Sequence, residues 1–494
     1  METFPGVLQR CVYSGEPFPT ILPQNPVPPQ RTKSYPLKAI FKSESNIENT
    51  QFILDDLYQK QLGLKRESTE FEEDARIVVG DLKTLNLVLA VKKQREETAE
   101  EIPYDSYRWV IPNLGLFHLR MNMLQLIHGA HWGGSATDPS QWDDASTLQW
   151  QADAFGTSRR TRLGKEVQAL EQLIRHSHHA RAVAVFTNVL KSNMVPSFTH
   201  SGREIEKDDV EKWLLSQKDP ITFEIIIDEV RKRLFEQPKT IDMDPCLDDE
   251  WQNHIRFMQH VHPYLLLKWS IQHADLGLIR QAMRECCILF QAPSGAKGNY
   301  AREMIRYLHL VDSKAVDDKL ADYILLNALV NPSGRADGWY PVDQHLEFIN
   351  LDIRNGLADR RSSYDKVEWI KSNVLNIPFL RELQRGIEST FGIPQGYRHR
   401  KKLAADDIWY VANQLQSCST VQHPNRVSIY PAPDLYHEGW LALPTNVFKY
   451  NDKQTRSWDV ENEDGNIPSE PPILDVDSQY LSGLIDWEEE NGKF

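Results

Sequence analysis

Helical periodicity dominates the middle of this chain, from roughly residue 208 to residue 330, and it constrains the fold more than any other feature. Segments such as DDVEKWLL and NYAREMIRYLHLVDS repeat apolar residues at the spacing of one helix face. Strand signals are scarce there, and no internal repeat of about 20 to 50 residues is visible. A chain with such a centre is expected to be mostly helical.

The composition is typical of a water-soluble protein that buries a large core. The 494 residues are 40% hydrophobic and 26% charged, and the mean hydropathy is −0.51. No apolar run approaches the roughly 18 residues that span a bilayer. The N-terminus lacks a secretory signal, and the five cysteines form no CxxC pair. We therefore expect an unsecreted chain, cytoplasmic or nuclear, with no membrane partner.

The net charge of −14 is uneven. From Ser457 onward the sequence has eleven acidic residues and one basic residue. This tail therefore contributes about −10 to the net charge and leaves about −4 for the rest of the chain. The acidic total therefore does not exclude nucleic-acid binding by the body of the protein. Two basic clusters, SRRTR (158–162) and YRHRKK (397–402), are either solvated surface or phosphate contacts. The candidate contacts are Arg159, Arg160, Arg398, Arg400, Lys401 and Lys402.

The stretch ARIVVGDLKTLNLVLAV (75–91) carries the clearest strand signal. An apolar β-branched run ends at Gly80-Asp81, and a second apolar run follows. Asp81 is then an acid at the carboxyl end of a buried strand, where α/β folds place metal and ligand groups. The alternative is a turn residue or a helix cap.

Residues 108–133 predict a short strand, a proline turn and a helix. From Leu116 the apolar residues recur at helical spacing, at Leu119, Met123, Leu126 and Ile127. His118 begins this helix, and its spacing to His128 and His131 fits no zinc motif. His118 is therefore a supporting site residue or a hydrogen-bonding partner of the backbone beside the strand. The histidines of HSHHA (176–180) are interpreted as surface residues.

A second constellation lies in VDQHLEFINLDIR (342–354). If this segment is helical, Asp343, Glu347, Asn350 and Arg354 share one face. Glu347 could then supply an oxygen ligand to Mg²⁺ or Mn²⁺. The alternative is a solvated face with an internal Glu–Asn–Arg network. A neighbouring apolar stripe consists of Leu346, Ile349 and Ile353.

Several common catalytic templates are missing. The sequence contains no GxxxxGK[ST], no GxSxG and no dinucleotide-binding glycine fingerprint. P-loop nucleotide hydrolysis and α/β-hydrolase chemistry are therefore disfavoured.

Four segments, taken in order, resemble a known family. They are VVGDLKT, WVIPNLGLFHLRMNMLQLIHGAHWG, VNPSGRADGWYPVDQHLEFINLDIR and FGIPQGYRHRKKLAADDIWYVANQL. They resemble the fungal domain-of-unknown-function family numbered 6589, over about residues 47 to 430. The family layout is similar to that of transposases with a ribonuclease-H-like core. Such a core holds two divalent ions with an Asp-Asp-Glu set.

The resemblance assigns roles and boundaries. It implies that Asp81 matches the second Asp of the set and Glu347 the final Glu. His118 matches a histidine that often follows the strand after that Asp. The expected fold is α+β and predominantly helical, a ribonuclease-H-like α/β core interrupted by a long helical insert. The expected parts are a proline-rich loop (1–46), the first core part (47–133), the insert (134–330), a helical core part (331–430), and an extended region with an acidic disordered tail (431–494).

The first Asp of the set is not found, because no apolar strand ending in Asp-Asn precedes the first helix. Asp55 and Asp56 sit inside a helical pattern. The favoured hypothesis is therefore a transposase-derived, DNA-associated protein without catalytic activity. The alternatives are an active metal-dependent nuclease or transposase using Asp81 and Glu347, and an all-helical interaction scaffold in which 75–91 is one buried helix.

Overall fold

The computed structural model describes most of the chain. The described residues are 23–96, 102–134, 144–157, 167–194, 206–216, 220–235, 248–293, 298–312, 316–357, 362–391, 404–416 and 428–462. Every structural statement below concerns these residues.

Helices make up most of the N-terminal half. In chain order they are α1 (Ile47–Asp55), α2 (Glu70–Glu73), α3 (Leu82–Glu96), α4 (Leu116–His131), α5 (Leu148–Ala154), α6 (Val167–Val189), α7 (Lys207–Ser216) and α8 (Pro220–Phe235). Short π-helical turns extend α1 over Asp56–Gln61 and α6 over Leu190–Met194, and a 3₁₀ turn spans Pro103–Ser106.

The C-terminal half continues in the same way. Its helices are α9 (Asp249–Gln272), α10 (Leu276–Gln291), α11 (Gly298–Asp312), α12 (Asp318–Leu326), α13 (Val342–Leu357), α14 (Ser363–Asn373), α15 (Ile377–Thr390), α16 (Ala404–Gln416) and α17 (Leu435–Asn462). A 3₁₀ turn at Val374–Asn376 joins α14 to α15.

Side-chain caps fix where many of these helices begin. Asp248, Asp275 and Asp317 each accept a hydrogen bond from the backbone N–H three residues ahead, at the start of α9, α10 and α12. Such a cap satisfies one of the four N–H groups that a helix leaves unpaired. Helix α9 continues through Pro263 without a break.

Two strands carry the only parallel pairing among the described residues. β1 (Arg76–Gly80) pairs in parallel with β2 (Val110–Leu114), with Gly80 opposite Leu114. The strand predicted before Asp81 is therefore present, and 75–91 is not a single helix. The expectation that this strand is buried is wrong, because every residue of β1 is partly exposed, whereas most of β2 is buried.

A second two-stranded pairing is antiparallel. β3 (Leu329–Val330) pairs with β4 (Tyr340–Pro341) across the predicted NPSGRADGW turn. Among the described residues both sheets have two strands. The predominantly helical fold is thus confirmed, while a ribonuclease-H-like sheet is not confirmed.

Two hydrophobic clusters lie inside the molecule. The larger extends from Leu85 to Val447 and includes side chains from both predicted core parts and from the predicted insert. The smaller cluster lies beside the strands and is rich in aromatic rings. It consists of Leu54, Phe71, Val88, Val91, Tyr104, Tyr107, Trp109 and Val110. The central helices therefore share one interior with the helix that follows β2.

Two expectations about surface and tail are wrong. The sequence predicts an extended region from residue 431, but Leu435–Asn462 is helical, and α17 packs against α10. The sequence pattern predicts that His178 and His179 are surface residues, yet only 6% and 4% of their area is exposed. The apolar neighbours of the HSHHA segment on α6 draw that whole helix into the larger cluster. The acidic stretch beyond residue 462 lies outside the described residues.

Residues 23–45, part of the predicted proline-rich loop, form a strap that runs over several helices. The backbone N–H groups of Gln24 and Asn25 donate to Asp275 at the start of α10. Further along, Thr32 bonds the backbone of Asn331, and Lys38 is fixed by Gln61 at both its N–H and its carbonyl. The strap ends beside α3, where it delivers Glu44 to the strand edge.

None of the helices within the described residues combines the length and apolar character needed to cross a membrane.

Candidate functional site

The candidate site lies at the carboxyl edge of the β1–β2 pair. Because the two strands are parallel, Asp81 after β1 and Gly115 after β2 meet at the same edge. The N–H of Gly115 donates to the carbonyl of Gly80 at 2.8 Å and so continues the pairing by one residue. We call this region the strand edge.

Asp81 acts as a helix cap at the strand edge. Its Oδ1 accepts a hydrogen bond of 2.8 Å from the N–H of Thr84, in the first turn of α3. Its carbonyl accepts the first helical bond from Leu85 at 3.0 Å. This is the capping geometry in which an acidic side chain stabilises a helix N-terminus. Asp81 therefore takes the structural role that the sequence had left open beside the metal-binding one.

Asp343 caps a second helix, although it belongs to a distant part of the chain. Gly115 precedes α4 and has no side chain to cap it. Instead, the carboxylate of Asp343, on α13, accepts from the N–H of Phe117 at 3.1 Å and of His118 at 3.1 Å. A methyl group on Gly115 would lie 2.3 Å from Oδ2 of Asp343, so only glycine leaves room for this contact.

His118 and Asp343 also form a side-chain pair. Nδ1 of His118 lies 3.0 Å from Oδ2 of Asp343. Because a carboxylate only accepts, Nδ1 carries the proton and Nε2 remains the proton-accepting atom of the neutral ring. The hydrogen bond to Asp343 raises the pKa of His118, and the negative charges of Asp343, Asp81 and Glu347 raise it further, against the opposing effect of burial. This pair can accept and release a proton at Nε2.

Two further side chains at the strand edge were not found from the sequence. Glu44 arrives from the strap and accepts from the hydroxyl of Thr84 at 3.1 Å. Burial and the repulsion of Asp81 raise the pKa of Glu44, while the Thr84 hydrogen bond and Lys83 oppose that rise. Tyr300, on α11, has its pKa raised to about 12 by burial and by the charges of Asp81 and Asp343.

Two of the four polar residues predicted to share one face of α13 act on His118. Segment 342–354 is helical as predicted, and Asp343 and Glu347 both act on His118. Asn350 is half-buried and Arg354 is exposed. No hydrogen bond or ion pair joins Glu347 to Asn350 or Arg354 within the described part of the chain. The neighbouring apolar stripe is incompletely covered, because 55% of Leu346 is exposed.

The predicted phosphate contacts cannot be placed. The clusters SRRTR and YRHRKK, with Arg159, Arg160, Arg398, Arg400, Lys401 and Lys402, lie outside the described residues.

A two-ion centre does not fit the side chains at the strand edge. Asp343 already accepts from two backbone N–H groups and one ring N–H, and Asp81 gives one oxygen to Thr84. Among the described residues, no group of three or more His, Cys, Asp or Glu side chains is arranged to hold a metal ion. Asp55, a poor substitute for the missing first Asp, accepts hydrogen bonds from Tyr104 and Tyr107 in the smaller cluster instead.

Comparison with known proteins places the chain in a family without assigning it an activity. No curated protein and no solved structure matches it. Residues 12–400 match the family described as "Family of unknown function (DUF6589)". This match covers most of the chain, including both strands, Asp81, His118 and Asp343, and the protein therefore belongs to that family.

Proposed function

We propose that this protein binds nucleic acid and that its strand edge has a structural rather than a catalytic role. The observation that carries the proposal is that the carboxylates of Asp81 and Asp343 are both engaged by backbone N–H groups at helix N-termini. Asp343 accepts from two backbone N–H groups and one ring N–H, so an ion at this carboxylate would compete with these bonds. Each cap stabilises its helix by about 1 kcal/mol.

The association with nucleic acid rests on the resemblance to transposases in the order of the elements. A strand ending at Asp81, a strand and helix carrying His118, a long helical stretch and a helix carrying Glu347 follow one another along the chain. This order supports descent from a protein that acted on DNA. It is an analogy of layout and supplies no activity.

A second candidate function is metal-dependent phosphodiester transfer. One observation favours it, namely that the charges of Asp81 and Glu347 both act on the same histidine. The charges of both side chains that are predicted to share a metal therefore reach one ring. Carboxylates in such a cluster attract divalent cations, even where the ligand set of a two-ion centre is incomplete.

A Mn²⁺ titration followed by thermal melting separates the two candidates. A ligand that binds the native state raises its stability by mass action, by about 2.7 kcal/mol at a hundred times its dissociation constant. The wild type is compared with the double variant Asp81→Asn/Glu347→Gln. Asparagine at position 81 keeps the helix cap and removes the charge. The matched control is Asp318→Asn/Glu72→Gln, which removes two exposed acids elsewhere.

We expect the three proteins to respond alike to Mn²⁺. If Mn²⁺ raises the melting temperature of the wild type and of the control but not of the strand-edge variant, the proposed structural role is overturned. Metal-dependent cleavage of a DNA strand by the wild type, lost in the same variant, would establish the second candidate.

A further inference from the structure

A groove of ≈ 620 Å³ lies between the strap and the end of α1 with its π-helical extension. Strap residues 36–42 form one wall, and Phe52, Lys60 and Leu375 contribute to the others. We call this feature the lysine–phenylalanine groove. Its defining side chains are Lys38, Phe41, Lys42, Phe52 and Lys60.

The groove is locally basic in a chain whose net charge is −14. Lys60 pairs with Asp56 at 3.0 Å, so these two charges cancel. Lys371 on α14 lies 6.0 Å from the ring of Phe41 and pairs with Glu368 at 3.0 Å. Neither Lys38 nor Lys42 forms an ion pair with a described residue. The groove therefore has two positive charges in excess, which favours an anionic occupant.

Two aromatic rings stand exposed among these lysines. Phe41 is 51% exposed and Phe52 is 40% exposed. The ammonium groups of Lys42 and Lys60 lie 5.2 and 4.8 Å from the centre of the Phe52 ring. Exposed rings interleaved with lysines are the arrangement in which bases stack and phosphates are neutralised.

We infer that the lysine–phenylalanine groove binds single-stranded nucleic acid, with bases on Phe41 and Phe52 and phosphates at Lys38 and Lys42. This inference rests on the proposed function and names its binding surface. A duplex fits the arrangement poorly, because its bases are already stacked and their faces are closed to a protein ring. A single strand presents those faces without a cost of unpairing.

The strap connects the groove to the strand edge. Lys42 is two residues before Glu44, and Glu44 bonds Thr84, whose N–H donates to Asp81. A nucleic-acid strand that follows the strap beyond Lys42 would meet the carboxylates of Glu44 and Asp81. Because these acids repel phosphate, the bound strand is expected to end there.

The test measures binding of a fluorescein-labelled oligothymidylate of roughly twelve nucleotides to the full chain by fluorescence anisotropy, at several salt concentrations. The variant Phe41→Ala/Phe52→Ala should weaken binding at least tenfold. The variant Lys38→Ala/Lys42→Ala should lower the slope of log affinity against log salt by about 1.4, since each phosphate contact on a single strand contributes about 0.7.

Matched controls use side chains of similar exposure elsewhere. Phe379→Ala/Phe391→Ala removes two exposed rings, one near the start of α15 and one just after its end. Lys319→Ala/Lys449→Ala removes two exposed lysines. Both controls should bind like the wild type. Phe41→Leu/Phe52→Leu keeps the apolar bulk but has no rings, so its binding should be as weak as that of the alanine variant. Weak binding by a leucine variant that folds normally shows that stacking, rather than folding, is lost.

The outcomes distinguish the inference from the proposed function. If every groove variant binds the oligonucleotide as tightly as the wild type, the groove is not the binding surface, and the proposed function is unaffected. No binding of the wild type to single-stranded or double-stranded DNA would overturn both. Polyglutamate at equal charge could also displace the oligonucleotide while the Phe41→Ala/Phe52→Ala variant binds as well as the wild type. That result would overturn the inference in favour of an acidic polypeptide partner.

Discussion

The two ends of helix α4 place histidines in opposite environments. At its first turn, His118 is partly exposed at the strand edge, is bonded to Asp343 and feels the charges of Asp81 and Glu347. At its last residue, His131 is buried among the helices that form the larger cluster, which we call the helical body. Its Nε2 lies 2.8 Å from Nδ1 of His260. The same residue type is therefore driven towards the charged form at one end and the neutral form at the other.

The pKa values of these histidines move in opposite directions. The hydrogen bond and charge of Asp343 raise the pKa of His118. Burial lowers the pKa of His131 well below its ordinary value and that of His260 to about 3. A charge on a histidine thus stabilises the strand edge and destabilises the helical body.

The two regions are stabilised by different interactions. The body is held by apolar packing, into which polar groups fit only when neutral or fully bonded. The strand edge is held by carboxylates that bond helix N-termini and balance one ring charge. Changes to the body should therefore alter global stability strongly, and changes to the edge should alter it mildly while shifting the protonation of His118.

The largest effect is expected from Arg181, which is fully buried in the body. Its guanidinium bonds the carbonyl of Ser146 and Oε1 of Gln151, and it lies 3.9 Å from the centre of the Phe257 ring. Arg181→Ala should cost about 4 kcal/mol, because it leaves buried acceptors unpaired. Urea unfolding measures this loss.

The control for that experiment is Arg231→Ala, since Arg231 is an exposed arginine that pairs within its own helix at 2.9 Å. It should change stability by less than about 0.5 kcal/mol. Equal losses in the two variants would mean that the body does not depend on its buried polar groups.

A slightly smaller effect is expected from acid. The unfolded chain binds protons on its histidines below about pH 6.5, whereas His131 and His260 stay neutral in the folded body. Stability contributed by these two residues is therefore complete above pH 6.5 and falls as the pH falls. Between pH 7 and pH 5 the loss should reach about 2 kcal/mol for His260, and His131 should add to it in the same direction. Urea unfolding at intervals of pH measures the slope.

The double variant His131→Phe/His260→Phe should flatten this slope. The stability contributed by His118 changes with pH in the opposite sense. Its raised pKa contributes stability below pH 6.5 that is lost as the pH rises through the folded value. A slope unchanged by the double variant would assign the acid sensitivity to other groups.

The body was the more predictable of the two regions. The apolar stripe of α4 at Leu116, Leu119, Met123, Leu126 and Ile127 is buried as its spacing predicted. Helical spacing reports a local property, the face that a segment turns inward, so it can be read from a short stretch. The spacing at 176–180 did not show that His178 and His179 lie inside, because polar residues on every face resemble a solvated helix.

The strand edge was predictable only in its local half. The strand, the break at Gly80-Asp81 and the following helix can all be read from adjacent residues. The cap of α4 by Asp343 could not, because it joins residues 226 positions apart in the sequence. A glycine at the position before a helix, with no capping side chain, is the signal that could have suggested a distant cap. Glu44 and Tyr300 had no local signal.

Gly115 tests the distant cap directly. A Cβ at this position would lie 2.3 Å from Oδ2 of Asp343 and 2.9 Å from the carbonyl oxygen of Gly80. Gly115→Ala should therefore cost about 2 kcal/mol by pushing α13 away from α4. In the same helix, Gly129→Ala meets nothing within 4 Å and should stabilise the protein by up to about 1 kcal/mol. Thermal melting of the pair measures both signs, and a Gly115→Ala protein as stable as the wild type would show that the cap is dispensable.

The smallest change in stability, and the sharpest test of the strand edge, comes from Asp81. Asp81→Ala should cost about 1 kcal/mol, because the N–H of Thr84 loses its acceptor, while Asp81→Asn keeps the cap and should cost little. Both variants remove a charge that acts on His118, so both should lower its pKa when its ring is followed by NMR. The two measurements separate the roles of one carboxylate, since the cap depends on shape and the pKa on charge. A stability loss as large for asparagine as for alanine would mean that the charge, rather than the cap, holds the edge together. The strand edge would then be an electrostatic site in its own right, and a bound cation would again be its natural explanation.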